Sequence, residues 1–218
     1  MAPLTWDQTG DRTYETGVDR GVLYIPDPDT GVYDTGVAWN GLTTVTESPG
    51  GAEATPLYAD NIKYLNLVSA ETFAATIEAF TYPDEFMEMD GTHLAHPGVA
   101  VGQQGRKVFG LCYRTLKGND IEGADYGYKL HLVYGCQAAP SEKAYGTVND
   151  SPEAITFSWE VNTTPVSVTA LKPTSLIVVD STVVSADDLS DLEDLLYGAG
   201  VTAAALPTPD AVIALFAP

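Results

Sequence analysis

Two histidines, His93 and His96, stand three residues apart, a spacing that could serve a metal ion. On a helix, residues three apart share one face, and imidazole nitrogens are common zinc ligands. Pro97 and Gly98 follow directly, and this pair is typical of a turn. No third ligand of the right type lies near in the sequence, and the HExxH pattern of zinc proteases is absent. The sequence therefore predicts solvated loop histidines here.

A second candidate for cation binding is the acidic stretch that contains Asp27, Asp29 and Gly31. Its spacing is similar to the start of a calcium loop, in which alternate carboxylates supply oxygen ligands. The rest of that pattern is missing, including the glutamate that closes the loop. An ordinary turn is the predicted structure.

The chain carries none of the short motifs that position catalytic groups: GxSxG, the Walker loop, GxGxxG and CxxC are all absent. Paired carboxylates arise by chance among thirty acidic residues. Of the three histidines, His131 falls on the polar side of a predicted strand beside Lys129, where an exposed or interface position is expected. We therefore predict no catalytic residue, no cofactor and no metal, and a protein that is not an enzyme.

The charge is strongly acidic, since ten Lys or Arg stand against thirty Asp or Glu, a formal net charge of −20. Proteins bind nucleic acid by replacing the counterions of phosphates with Lys and Arg, so this balance argues against a DNA-binding groove. Self-repulsion that keeps the chain soluble is one explanation of the charge. A surface that DNA passes without sticking is another, and composition does not separate the two.

With 218 residues, 44% of them hydrophobic, the chain is long enough to bury a core. It contains no run of about 18 apolar residues, so no membrane span is expected. The first residues lack the basic and apolar regions of a secretory signal. Cys112 and Cys136 both fall in predicted strands. Two buried, reduced thiols are the expectation, and a cross-strand disulfide is the alternative.

Apolar and polar side chains alternate strictly over residues 155–161, which predicts a half-buried antiparallel strand. The odd-numbered side chains are apolar, and the even-numbered ones are Thr156, Ser158 and Glu160. Residues 128–134 alternate in the same way, with Tyr and Leu on one side.

A shorter apolar strand is predicted at 108–115, separated from the strand at 128–134 by polar residues. The intervening segment 116–125 carries two glycines and several acids or amides. This composition predicts a long, solvent-exposed hairpin connection.

The first half of the chain adds strand candidates and one helix. Proline at position 83, followed by two acidic residues, suits the first turn of a short helix over 83–89, with Phe86 and Met89 on its buried side. The fold class is therefore mainly β (α+β): a two-sheet antiparallel β-sandwich or partial barrel with one short helix. The further strand candidates are 22–25, 37–46 with a turn at Asn40-Gly41, 57–68 and 73–80.

After about residue 171 the pattern changes, which predicts two units, a β domain at 1–171 and a mixed α/β extension at 172–218. A strand is predicted at 175–179, a second at 201–206, and a final helix from Thr208. Between the strands, Ser185 begins a helix that ends at Gly198. That helix carries a stripe of Leu189, Leu192, Leu195 and Leu196.

Residues 105–165 resemble the major tail tube proteins of long-tailed (siphovirus-type) bacteriophages, particularly those that infect actinobacteria. The resemblance lies in the sequence FGLCYRT…GNDIEGADYGYKLHLVYG…APSEKAYGTVNDSPEAITFSWEV. The resemblance covers roughly residues 5–218 and is most specific in this block. It implies a structural virion protein that stacks as hexameric rings into a tail tube, through which DNA leaves. The implied partners are further copies of the chain, a tape measure protein and tail tip or terminator proteins. DNA would pass without specific binding, and no membrane would be involved.

If the chain lines such a tube, alternation makes Thr156, Ser158 and Glu160 the candidate lumen-facing residues, and the outer solvent face is the alternative for the same side chains. The predicted loop supplies the candidate ring-to-ring contacts, together with the N-terminal segment. Those loop residues are Asn119, Asp120, Glu122 and Asp125.

Other functions stay open at this point. A different virion β-protein, such as a tail terminator or a capsid decoration protein, would suit the same fold. A carbohydrate-binding β-sandwich module could use Trp6, Trp39, Tyr126 and Tyr128 to stack on sugars. A DNA-mimicking inhibitor has only the charge in its favour.

Overall fold

The computed structural model describes residues 3–148, 150 and 153–217, and within them it contains fourteen strands, one 3₁₀ helix and two α-helices. The mainly β, α+β class predicted from the sequence is confirmed. The strands are β1 (Thr13–Ile25), β2 (Thr35–Trp39), β3 (Leu42–Glu47), β4 (Gly50–Gly51), β5 (Ala54–Ala59), β6 (Ile62–Val68), β7 (Glu71–Thr72), β8 (Ala74–Ala79), β9 (His93–His96), β10 (Val99–Val101), β11 (Phe109–Asn119), β12 (Gly123–Ala138), β13 (Phe157–Thr163) and β14 (Leu176–Asp180). The helices are the 3₁₀ helix Asp84–Glu88, α1 (Ala186–Tyr197) and α2 (Pro209–Leu215).

Eight strands form one antiparallel sheet in the order β2-β1-β11-β12-β13-β8-β3, with β14 also paired to β12. The long strand β12 changes partner along its length: residues 129–133 pair with β14, and residues 136–138 pair with β13. Gly135 marks the change with a φ of +62°, and a Cβ there would lie 2.2 Å from the carbonyl oxygen of Thr164. Only glycine fits this backbone position.

The two outermost strands of the sheet path, β2 and β3, are consecutive in the chain and are joined by the turn Asn40-Gly41. Gly41 has a φ of +75°, as this tight turn requires. Because neighbours in sequence lie at opposite ends of the path, the sheet must roll back on itself, and β1 contacts β3. The two halves of the rolled sheet thereby face each other around a common core.

That inner core is dominated by aromatic side chains from both halves of the sheet and from the 3₁₀ helix. Phe86 lies between Trp39 and Trp159, with ring centroids 4.6 and 5.1 Å away. Phe86 and Met89 are fully buried, as predicted for the helix. Each large side chain buried in this way contributes about 1.5–3 kcal/mol to the free energy of folding.

A second core lies on the opposite face of the sheet, beneath the C-terminal helices. Leu189, Leu192 and Leu196 of α1 are buried there, whereas Leu195 is 39% exposed. The predicted leucine stripe is thus confirmed except for Leu195, because that residue, six positions after Leu189, lies about 120° around the helix from it, whereas Leu192 and Leu196 share its face. The segment after residue 171 supplies β14 to the main sheet and the helices to this layer. The division into units 1–171 and 172–218 stays a prediction.

Several local predictions were wrong. Segment 57–68 is the outer part of a two-stranded hairpin, since β5 and β6 pair across a turn at residues 60–61. The predicted hairpin connection 116–125 does join β11 to β12, but it is a turn of only three residues, because both strands extend into the predicted segment. His93–His96 forms strand β9, paired with β10. Residues 201–206 form isolated bridges instead of a strand.

Candidate assembly surfaces

The outward side of strands β3, β8 and β13 is an uncovered, polar surface, called here the polar sheet face. Antiparallel register places Ser158 opposite Glu78, and Glu160 opposite Thr76. On the other side of β8, Thr44 of β3 lies opposite Glu78, and Thr46 lies opposite Thr76. Asn162 is the next outward side chain on β13 after Glu160. All seven side chains are exposed or half-buried. The members of the polar sheet face are Thr44, Thr46, Thr76, Glu78, Ser158, Glu160 and Asn162.

Alternation explains why this surface is polar. Trp159 and Val161 point into the inner core and are buried, so their neighbours on β13 must point outward. The same holds on β8, where Ile77 is buried between Thr76 and Glu78. The polar sheet face therefore carries two carboxylates and no base, and no basic group of the described residues lies within ion-pair distance of either carboxylate.

Two of the three predicted lumen-facing residues, Ser158 and Glu160, lie on the polar sheet face. The third, Thr156, precedes β13 in an irregular exposed segment. Whether this face borders a lumen stays a prediction.

The four predicted ring-contact residues fall into two groups at the turn between β11 and β12. Asn119 is buried, and its Oδ1 accepts hydrogen bonds from the backbone N–H of Ile121 and Glu122 at 3.1 and 2.6 Å. Asp120 accepts a hydrogen bond of 2.9 Å from the backbone N–H of Gly10. These two residues hold the turn and the N-terminal segment in place. Glu122 and Asp125 are exposed, and their role in ring contacts stays a prediction.

The hairpin β5–β6, residues 54–68 and called here the arm, is the most unusual surface of the molecule. Every side chain of both strands is exposed. A turn at Asp60 and Asn61, with φ of +51° and +67°, joins the strands. An isolated two-stranded hairpin is marginally stable in water, so the arm is a surface suited to a partner. Its exposed large apolar side chains are Leu57, Tyr58, Ile62, Tyr64, Leu65, Leu67 and Val68.

The sequence interpretation missed the arm because a run of residues that favour strands predicts a strand whether or not another layer covers it. The Asp60-Asn61 pair was the available signal, since both residues tolerate positive φ in tight turns.

His131 was expected to be exposed or at an interface, and that expectation was wrong, because its side chain is buried within the chain. Its ring stacks on Tyr113 at 4.6 Å, and its Nδ1 lies 2.9 Å from a carboxylate oxygen of Glu47. Its Nε2 lies 3.0 Å from the hydroxyl of Thr115. The close approach of the His131 ring, aided by the hydrogen bond that the Tyr113 hydroxyl donates, lowers the pKa of Glu47. The group joins β3, β11 and β12 beneath the surface.

Most basic side chains are already engaged within the chain. Of the ten Lys and Arg side chains, seven form ion pairs with carboxylates, and the longest of these joins Arg12 to Asp120 at 3.8 Å. Arg20 lies over the ring of Tyr197. Among the described residues, Lys63 and Lys172 have neither kind of partner. Few cations are therefore free to bind a phosphate backbone.

The two cysteines are free and buried, as expected. Burial raises the pKa of Cys112 to about 12, and that of Cys136 is raised for the same reason. Since the thiolate is the reactive form, neither thiol is activated for chemistry.

The two candidate cation sites of the sequence are a turn at Asp27 and an exposed strand at His93–His96. Asp27 Oδ1 accepts hydrogen bonds from the backbone N–H of Asp29 and Thr30 at 3.0 and 2.7 Å, which is the predicted ordinary turn. His93 and His96 are exposed on β9. Within residues 3–148, 150 and 153–217, no three His, Cys, Asp or Glu side chains are grouped in a way that could hold a metal ion.

The aromatic residues that a sugar-binding module would use do not form one platform. Trp39 is buried in the inner core, whereas Trp6 is 73% exposed. Tyr126 and Tyr128 are half-buried, and Arg114 covers the ring of Tyr128 at 5.1 Å. No helix in the described part of the chain is both long and apolar enough to span a bilayer.

No protein-family model matches the chain, and no curated protein matches it. One similar solved chain belongs to the six-fold symmetrised baseplate of the anti-feeding prophage, with 8% identity over 81% of this chain and 97% of that chain, at a TM-score of 0.37. Another belongs to the sheath–tube complex of an extracellular contractile injection system, PVC, in its extended state. There the identity is 10% over 74% of this chain and 88% of that chain, at a TM-score of 0.34. At these TM-scores the likeness carries no argument about function.

Proposed function

We propose that this chain is a structural virion protein that stacks as hexameric rings into a phage tail tube, the conduit for DNA ejection. The observation that carries the proposal is the polar sheet face, an uncovered three-stranded surface with two carboxylates and no base. The sequence resemblance between residues 105 and 165 supports the same function. The protein has no catalytic role in this proposal.

The electrostatics of the polar sheet face suit a wall along which DNA moves. Phosphates bind where Lys and Arg replace their counterions, and each such contact is a trap that depends on salt. Glu78 and Glu160 repel phosphates instead, and hydroxyl side chains between them keep the surface hydrated. The formal net charge of −20 and the engagement of most bases act in the same direction.

Self-assembly is supported by the arm, whose apolar side chains have no cover within the described chain. Further copies of this chain are the principal partners in the proposal. A tape measure protein would occupy the lumen, and tail tip and terminator proteins would bound the tube. The site of action would be the virion tail, after assembly in the host cytoplasm.

Electron microscopy of the purified full chain at high concentration tests the proposal, combined with labelling of the protein in intact particles. Six-fold hollow rings or tubes, with Glu78 and Glu160 on the inner wall, are the expected result. Particles in which the protein occupies a different position, such as the capsid surface or the tail end, would overturn it.

A further inference from the structure

A groove of about 830 Å³ lies between the base of the arm and the segment that leads into β14. Val68 and Phe73 border one side, and Pro165, Pro173 and Leu176 border the other. Its volume is in the range of clefts that bind ligands or peptide segments.

Ser175, which lines this groove, is 4% exposed, and its hydroxyl has no hydrogen-bond partner among the described residues. Buried hydroxyl groups are nearly always hydrogen-bonded in folded proteins. The hydroxyl oxygen is itself closed off from solvent, so the apolar border of the groove and its charged residues determine what the groove can receive.

The groove cannot be filled by the tip of the arm in the same chain. Val68, at the base of the arm, lines the groove, whereas Asp60 and Asn61 lie at the other end of the hairpin. The seven residues of β6 span roughly 23 Å at the rise of an antiparallel strand. An arm tip that enters a groove must therefore belong to another copy.

Charge points to the same pairing. The outer part of the arm carries Asp60 and Lys63, and the groove is lined by Glu71 and Lys172. None of these four side chains has an ion-pair partner among the described residues. Two copies with a net charge of −20 repel each other, so a contact between them needs apolar area and opposite charges at its rim. The arm and the groove offer both.

We infer that the arm of one copy docks into the groove of a second copy, with Lys63 facing Glu71 and Asp60 facing Lys172 of that copy. This inference rests on the proposed function, because it supplies the contact between copies that a tube needs. The pairing is heterologous: the first copy keeps a free groove and the second keeps a free arm. Such contacts propagate into rings or open chains instead of stopping at a dimer.

The test is sedimentation velocity of the full chain over a series of concentrations. The wild type is expected to associate beyond a dimer. Leu65→Asp, in the exposed arm, is expected to remain monomeric with an unchanged melting temperature. Lys63→Glu and Glu71→Lys should each weaken association by at least about fivefold. The double variant restores the opposite charges and should return to within about twofold of the wild type.

Glu85→Lys is the matched control, since Glu85 is exposed on the 3₁₀ helix and lies outside both surfaces. A wild type that is monomeric at every concentration, or a Leu65→Asp variant that associates normally, would overturn the inference. The inference would also be overturned if the double variant associated as weakly as the single variants. Association into chains without six-fold rings would keep the arm–groove contact and reject the tube. Six-fold rings formed by the Leu65→Asp variant would support the tube and reject the arm–groove contact.

Discussion

The hydroxyl of Tyr24, on β1, donates a hydrogen bond of 2.7 Å to the backbone carbonyl of Leu196, in the last turn of α1. Both residues are fully buried. Burial holds the pKa of Tyr24 far above its ordinary range, so the phenol keeps the proton that it donates. The carbonyl is one of the four at a helix end that lack a partner within the helix. This bond therefore ties the C-terminal helix layer to the first strand.

Tyr24→Phe should lower the free energy of unfolding by about 1–3 kcal/mol, because it leaves a buried carbonyl without a donor. Urea denaturation followed by fluorescence measures the change. Tyr145→Phe is the control, since Tyr145 is 74% exposed, and it should have almost no effect. Equal stabilities of the Tyr24 variant and the wild type would show that the hydrogen bond does not form.

The second core gives a prediction with a neighbouring control. Leu192 is fully buried, whereas Leu195 on the same helix is 39% exposed. Leu192→Ala should lower the free energy of unfolding by about 2–5 kcal/mol, because it removes buried methyl groups and leaves a cavity. Leu195→Ala should change it by less than about 1 kcal/mol. Similar losses for both variants would contradict the packing of α1 described above.

Deletion of residues 172–218 tests the predicted division into two units. The deletion removes β14 from its place beside β12 and uncovers Leu130 and Leu132, which are fully buried. We expect the truncated chain to aggregate or to bind a hydrophobic dye, since a large apolar face would meet water. A truncated chain that unfolds cooperatively, at the midpoint of the parent, would establish two independent domains.

Acid stability should depend on the pair Asp19–Arg114. The guanidinium donates to both carboxylate oxygens of Asp19, at 2.7 and 2.6 Å, and these hydrogen bonds lower the pKa of Asp19. A lowered pKa stabilises the folded state above the unfolded value of about 3.9. That stabilisation is lost as the pH falls through the lowered folded value.

Asp19→Asn should therefore flatten the dependence of the unfolding free energy on pH below about pH 4. The effect is at most about 1 kcal/mol, because Asp19 is 43% exposed and solvent screens the pair. Chemical denaturation at several pH values measures it. Asp11→Asn is the control, because Asp11 is exposed and forms no ion pair with the residues that the structure describes. A variant with an unchanged slope would mean that the pair does not persist in solution.

Charge reversal on the polar sheet face tests its role as a wall for DNA. The double variant Glu78→Lys/Glu160→Lys should still fold, because both side chains point away from the inner core. The variant should bind DNA with an affinity that falls as the salt concentration rises, and DNA ejection from assembled particles should become slower. The uncharged variant Glu78→Gln/Glu160→Gln separates lost repulsion from gained attraction. Unchanged ejection in the lysine variant would remove the electrostatic argument.

Much of the local structure follows from the sequence. The strand at 128–134, the short helix with Phe86 and Met89 buried, and the buried leucines of α1 are all local patterns. The strand was expected to be half-buried, however, and residues 130–134 are buried on both faces. The net charge is likewise a property of the composition alone. These features depend on residues a few positions apart, so the periods of strand and helix are enough to predict them.

Which strands pair, and what covers each face, depended on distant parts of the chain. Segments 57–68 and 155–161 were both predicted to be strands, yet the side chains of β6 are all exposed, whereas Trp159 on β13 is fully buried. A face is buried only where another layer packs on it, and that layer comes from residues far away in sequence. The same reason accounts for His131, which Tyr113 and Glu47 enclose. The sequence determined the two faces of each strand, and the tertiary structure decided which of them meets solvent.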